Sequence, residues 1–300
     1  MTWLAALYVA GSYFAFLYLA GSWSWFGGAF RHVLPALLLI AVWWTYLHGN
    51  PETILDFRPS LDFLLSIVMG TFFAALTVYS VRGRLAPASG LELQFPVRGG
   101  TFVVTQGGAS RVLNHHYVHP SQRYALDIVK LESTGTRARG LYPAEPERYA
   151  MWECEVVSPC EARVAAVVDG HPDLYPPVRD PEHPGGNHVV LEVNGATIYL
   201  AHLKQGSICV RAGDRVRAGQ ILGRAGNSGS TTEPHLHLHA EEGPYRGRFS
   251  GMPAVPIRFD GRFLVRNDMV RIRAGIAVTT PERDPDRVLN PEIPVVGDSA

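Results

Sequence analysis

Net charge is what this sequence most plainly lacks. Its 300 residues carry 27 Lys and Arg against 27 Asp and Glu, so no electrostatic footprint for nucleic acid exists. Lysine is almost missing: Lys130 and Lys204 are the only two. Cysteine is scarce, and Cys154, Cys160 and Cys209 match neither a zinc ribbon nor a disulfide framework. They read as buried or free thiols. The deepest shortage is local. Residues 1–81 hold only five charged side chains, Arg31, Glu52, Asp56, Arg58 and Asp62. That excludes an ordinary water-exposed surface there and sets the domain boundary at about residue 82.

What fills the uncharged end is Trp, Tyr, Phe, Leu and Ala. Residues 1–30 have no charge and are long enough to cross a bilayer. A signal peptide would need a positive start and a shorter apolar run. A second run covers residues 33–47, extendable through Arg31 by snorkelling, with Trp43, Trp44 and Tyr46 placed for an interfacial belt. A third covers 61–81, with Asp62 near its start. The expectation is a membrane domain of three transmembrane helices over residues 1–82, then a linker over 83–96. Arg31, Arg58, Arg82 and Arg84 favour a cytoplasmic C-terminal part by the positive-inside rule.

Beyond the linker the pattern changes to short apolar runs broken by Gly, Pro and Asn. Runs at 102–105, 125–129, 163–168, 188–193 and 197–203 have strand length and composition. No long helical period interrupts them, so the class is mainly β with an antiparallel sheet. Five prolines between His171 and Gly186 mark a surface loop, with His171 and His183 exposed on it. Glycines at 213, 219 and 223 specify tight turns of a kind seen in lipoyl-type sandwiches, but no carrier lysine accompanies them. Residues 258–265 read as a final hairpin, and 269–300 as a Pro-, Asp- and Arg-rich tail.

The chemistry sits near strand ends. His235, His237 and His239 alternate and so share a strand face. His202 ends an apolar run. Asp127 lies inside another, where a lone carboxylate is costly unless it is paired or bound to a metal. His115, His116 and His119 lie upstream. A zinc hydrolase needs three His, Asp or Glu ligands and one open position, and these ingredients are present.

The ordered set Tyr199-Leu200-Ala201-His202-Leu203, Gly213…Gly219-Gln220…Gly223, Gly226-Asn227-Ser228-Gly229 and Pro234-His235-Leu236-His237 resembles the lysostaphin-type, LytM-like zinc peptidases that cut bacterial cell-wall cross-links. The resemblance covers about residues 97–240, within a peptidase domain drawn over 97–268. It implies zinc as cofactor, with Asp127 and His237 as ligands. It makes His202 and His235 the pair that orients the attacking water and stabilises the tetrahedral intermediate. His239 matches no role in the family and is expected to be a partly exposed strand residue.

The first ligand departs from the family pattern. The common spacing is His-x-x-x-Asp, yet Arg123 stands four before Asp127 and cannot ligate zinc. The run from Asn114 to Asp127 resembles a branch with a longer loop. That branch points to His116, with His119 next and His115 behind it.

The resemblance then implies a membrane-anchored zinc metalloendopeptidase acting on peptide bonds of peptidoglycan. It would be a multi-pass protein of the bacterial cell membrane with its peptidase domain outside the cytoplasm, against the arginine count. The rival readings are an inactive LytM-like domain that binds peptidoglycan or a partner protein, and a membrane sensor.

Overall fold

A computed structural model of the chain describes residues 3–28, 30–48, 60–247 and 251–272. Residues 49–59, the side chain of Tyr46 and residues 273–300, where most of the expected tail falls, lie outside the described residues.

Three helices come first: α1 (Trp3–Ala20), α2 (Phe30–His48) and α3 (Leu61–Gly83). Helix α3 is long and apolar enough to cross a membrane. At 1.5 Å per residue it runs about 35 Å, against roughly 30 Å of bilayer hydrocarbon. The apolar stretches of the other two, Leu4–Ala20 and Phe30–Trp44, are shorter. Ser60 caps α3 by accepting from Phe63 N. Helices α1 and α3 pack through Gly70, which receives the ring of Tyr8, and through an edge-on pair of Tyr13 and Phe73 at 4.9 Å. Outward-facing side chains of α2 and α3, such as Ile40, Trp43, Trp44, Val68 and Phe72, are exposed and apolar.

From Leu91 the chain is β, as its alternation dictates. The main sheet has eight strands in the order β12-β2-β3-β10-β7-β6-β5-β8. These are β2 (Gly100–Gln106), β3 (Leu126–Leu131), β5 (Ala162–Val168), β6 (Asn187–Val193), β7 (Ala196–Leu203), β8 (Arg215–Val216), β10 (Leu236–Glu242) and β12 (Met269–Ile272). Neighbours pair antiparallel. Asn194 and Gly195, both at positive φ, make the two-residue turn between β6 and β7.

Two small sheets add the second layer: β4 (Glu155–Val157) with β9 (Ile221–Arg224), and β1 (Leu91–Leu93) with β11 (Ile257–Phe259), the latter pair parallel. The final hairpin read from sequence is a tight turn closed by two bonds between Phe259 and Arg262, whereas β11 itself pairs with β1. Val156, Leu222, Ile257 and Phe259 of this layer share one core with Val104, Ile128, Val164, Leu191, Ile198, Leu200 and Leu238 of the main sheet. The core occupies one face of the main sheet, which leaves the other face for chemistry. All three cysteines are unbridged.

The helices and the β domain are joined by more than the chain. Carbonyls at the end of α1 have no partner inside the helix. Here Arg266 Nη1 donates to Ala20 O at 2.9 Å, and Asn267 Nδ2 donates to Leu19 O at 3.2 Å and Gly21 O at 2.9 Å. At the end of α3, Gly83 O accepts from Ala109 N at 2.7 Å, and Arg84 bonds Asp268 Oδ1 at 2.8 Å.

Candidate active site

Strand register assembles the floor of the site. On β10, Leu236, Leu238 and Ala240 enter the core, so His237, His239 and Glu241 turn to the other face. On β3, Leu126 and Ile128 go inward and Asp127 goes outward. Residue pairing sets His237 opposite Asp127 on one side and opposite Ala201 on the other. Directly opposed side chains of an antiparallel pair lie about 5 Å apart at Cβ. His237 and Asp127 therefore meet, with His202 next to Ala201.

A loop brings the third group. Asn114, fully buried, caps a short helical turn over His115–Val118 by accepting from His116 N at 3.1 Å. Its amide donates to the carbonyls of Gly108, Arg123 and Ala125 at 3.3, 3.2 and 3.0 Å. Wrapped round this one side chain, the loop turns His116 back to the sheet. His116 Nε2 lies 3.0 Å from both oxygens of Asp127, and His237 Nδ1 lies 2.9 Å from Oδ1. The His115 ring lies 3.8 Å from that of His116, tilted by 37°, and keeps a ligand atom near those of His116 and Asp127. His119 is exposed at the end of the turn.

His202 and His235 complete the cluster, with ring centres 4.7 Å apart. Carbonyl oxygen can only accept, so a nitrogen bonded to one must carry the proton. His202 Nδ1 donates to Ser228 O at 2.9 Å, and His235 Nδ1 donates to Glu233 O at 2.8 Å. In the neutral form of either ring the lone pair is then on Nε2. His235 Nε2 lies 3.6 Å from Asp127 Oδ1. The backbone of His202 is held at φ 63°, in the left-handed region.

Electrostatics keeps His202 and His237 neutral and Asp127 charged. Burial pushes His202 down to about 3, helped by His235. Burial likewise lowers His237 and His239, against the pull of Asp127 and Glu241. Burial raises Asp127, but His116 and His235 outweigh it and hold the carboxyl well below its usual range. Two imidazole nitrogens and one carboxylate converging with an open side fit a tetrahedral zinc site with one free position.

His239 is not the partly exposed residue its lack of a family role suggested. It is 1 % exposed, because β10 is an inner strand and its outer face is roofed. His239 Nδ1 lies 2.9 Å from His237 Nε2, its ring stacks on Tyr199 at 4.4 Å, and its Nε2 lies 3.6 Å from Glu241 Oε1. The alternation of His237, His239 and Glu241 was visible in the sequence; the roof over them was not. On the proline-rich loop, His183 is exposed and bonded to Asp180 at 2.8 Å, while His171 is half-buried against it.

The cluster opens into a groove of about 380 Å³ lined by His116, Asp127, His202, His235, Thr231 and Glu233, and also by Ser22, Ser24 and Trp25 from the turn between α1 and α2. Nothing in the residue pattern signals that last contribution.

Comparison with known proteins places the histidines in a family. The description "Peptidase family M23" matches residues 154–247, which include His202, His235 and His237 but neither His116 nor Asp127. The glycyl-glycine endopeptidase ALE-1 of Staphylococcus capitis is 42% identical over 54 residues, 18% of this chain and 15% of that protein. The peptidoglycan DD-endopeptidase ShyA of Vibrio cholerae is 43% identical over 56 residues, 18% of this chain and 13% of that one. The chain thus spans a small part of the length of either relative. The catalytic domain of lysostaphin from Staphylococcus simulans is 22% identical, covering 39% of this chain and 85% of that one at a TM-score of 0.24. Residues 154–247 of the β domain form a peptidase family M23 domain of the lysostaphin and LytM type.

Proposed function

We propose that the protein is a membrane-anchored zinc metalloendopeptidase that hydrolyses peptide bonds in peptidoglycan cross-links or stems. One observation carries the reading: His116 Nε2 and His237 Nδ1 converge on Asp127 within 3.0 Å, beside His202 and His235 whose Nδ1 protons are both committed to carbonyls. A module that only binds the wall has no use for all five groups in that state.

His116, Asp127 and His237 would hold the metal. Zinc, when bound, supplies the positive charge that polarises a scissile carbonyl and acidifies a water. His202, buried and neutral, directs its Nε2 lone pair at the attacking water and orients it. His235, at 13% side-chain exposure the more open to the groove, takes the water's proton on Nε2 and returns it to the leaving amine. His239 sits behind His237. If Nδ1 of His237 faces the metal, its Nε2 carries the proton and donates to His239 Nδ1, which fixes the tautomer.

Helices α1, α2 and α3 cross the bacterial cell membrane, with the peptidase domain outside the cytoplasm. The arginines that argue otherwise are partly engaged by protein: Arg31 lies 4.1 Å from the ring of Tyr18, and Arg84 bonds Asp268. The deciding experiment is metal content and cleavage together. About one zinc per chain is expected, with cleavage of a cross-linked muropeptide. A wild-type protein without zinc would defeat the peptidase reading. Zinc without cleavage across a substrate panel would favour a wall-binding module.

A further inference from the structure

The groove is not built by the β domain alone. The turn between α1 and α2 supplies Ser22, Ser24 and Trp25 to its lining, and this turn is fixed from both ends. At the α1 end, Arg266 and Asn267 cap the helix carbonyls as described, and Arg266 Nη2 also donates to Gln106 Oε1 at 2.6 Å, another groove residue. At the other end, Ser24 O accepts from Arg137 N at 3.1 Å.

Trp25 is held by stacking. Its ring lies 5.4 Å from that of Tyr142 at 9°, and the Arg137 guanidinium lies 3.9 Å from its face. Arg137 is 1 % exposed, and its Nη2 has no hydrogen-bond acceptor among the described residues. A buried cation in that state is costly unless a ring face covers it, and Trp25 provides the face. Arg137 Nε in turn holds Glu233 through both oxygens at 2.9 and 2.7 Å, and Glu233 O is the acceptor for His235 Nδ1. Tyr142 OH donates to Thr232 O at 2.9 Å. The membrane turn and the segment that precedes His235 therefore form one packed unit around the opening.

We propose that the α1–α2 turn is a substrate-binding wall of the peptidase groove, with Trp25 as its contact residue. This rests on the peptidase reading above. The ligand is an extended peptide: hydroxyls of Ser22, Ser230 and Thr232 flank the groove and suit amide groups, while the Trp25 ring gives one apolar surface. The wall belongs to the membrane domain, so the complete groove exists only where α1 and α3 are docked.

The test uses the full chain in detergent micelles with a purified cross-linked muropeptide. Trp25→Ala is expected to raise KM about tenfold with kcat changed far less, because the wall acts in binding rather than in the chemical step. Binding of the same muropeptide to the metal-free chain should weaken in parallel, and zinc content should stay at the wild-type value. Trp25→Phe, which keeps a ring over Arg137, should restore most of the binding. Wild-type KM and muropeptide binding in Trp25→Ala would overturn the wall while leaving the peptidase reading intact. So would loss of zinc in both variants, which would make Trp25 a packing residue only. A wild-type chain that holds zinc but binds no muropeptide would remove the peptidase reading, and the wall with it.

Discussion

Nε2 of His237 lies 2.9 Å from Nδ1 of His239, so two histidines of one strand share a buried hydrogen bond. Replacing His239 with Ala should weaken zinc binding by about 10- to 100-fold, the usual loss when a partner behind a metal ligand is removed. Chelator competition on the purified chain measures it. Unchanged affinity would show that Asp127 and His116 orient His237 without help.

The loop histidines are separable in the same assay. His116→Ala should abolish stoichiometric zinc, while His119→Ala should retain it, since His119 is exposed and His116 faces Asp127 at 3.0 Å. Zinc lost in His119→Ala and kept in His116→Ala would reverse the assignment.

Arg137 and Glu233 form a buried pair with side-chain exposures of 1% and 14%. Breaking such a pair from one side strands a charge and costs about 3–5 kcal/mol. Arg137→Leu should lower the unfolding midpoint sharply, and Glu233→Gln less, because the amide oxygen still accepts from the guanidinium. Equal, small shifts in both would mean that water reaches the pair.

Acid should destabilise the metal-free protein. An unfolded histidine binds its proton near about 6.5, whereas His115 does so only at about 4 and His202 at about 3 in the fold. Between those values the unfolded chain binds more protons, so stability falls as pH drops from about 6.5. Asp127, held low, adds a loss of the same sign below about 3.9. Thermal midpoints of metal-stripped chain between pH 7 and pH 4, as rough limits, should fall steadily; a flat profile would contradict the buried, neutral state.

Topology has a native probe. Cys209 is exposed, whereas Cys154 is buried. A membrane-impermeant thiol reagent should label Cys209 in cells whose wall and outer layers admit it and whose cytoplasmic membrane is intact. Labelling only after that membrane is permeabilised would make wall hydrolysis untenable.

Much of this site was legible before any coordinates. Asp127 stood out as a carboxylate in an apolar run, and alternation put His237 on a face opposite the core. Strand composition gave the sheet because each run meets a neighbour of the same kind. The order His116, His119, His115 rested on the resemblance alone, because spacing across a loop is free until one side chain, Asn114, closes it. The burial of His239 and the place of Trp25 were hidden for a different reason. Both depend on what covers a face, and for Trp25 the covering residues, Arg137 and Tyr142, are far away in sequence.

His202 is held at φ 63°, a conformation that costs a side chain of L configuration about 1–2 kcal/mol relative to glycine. On the peptidase reading proposed above, the position sets activity against durability. An inactive His202→Gly chain should outlast an inactive His202→Ala chain under heat, the reverse of the order at an ordinary strand position.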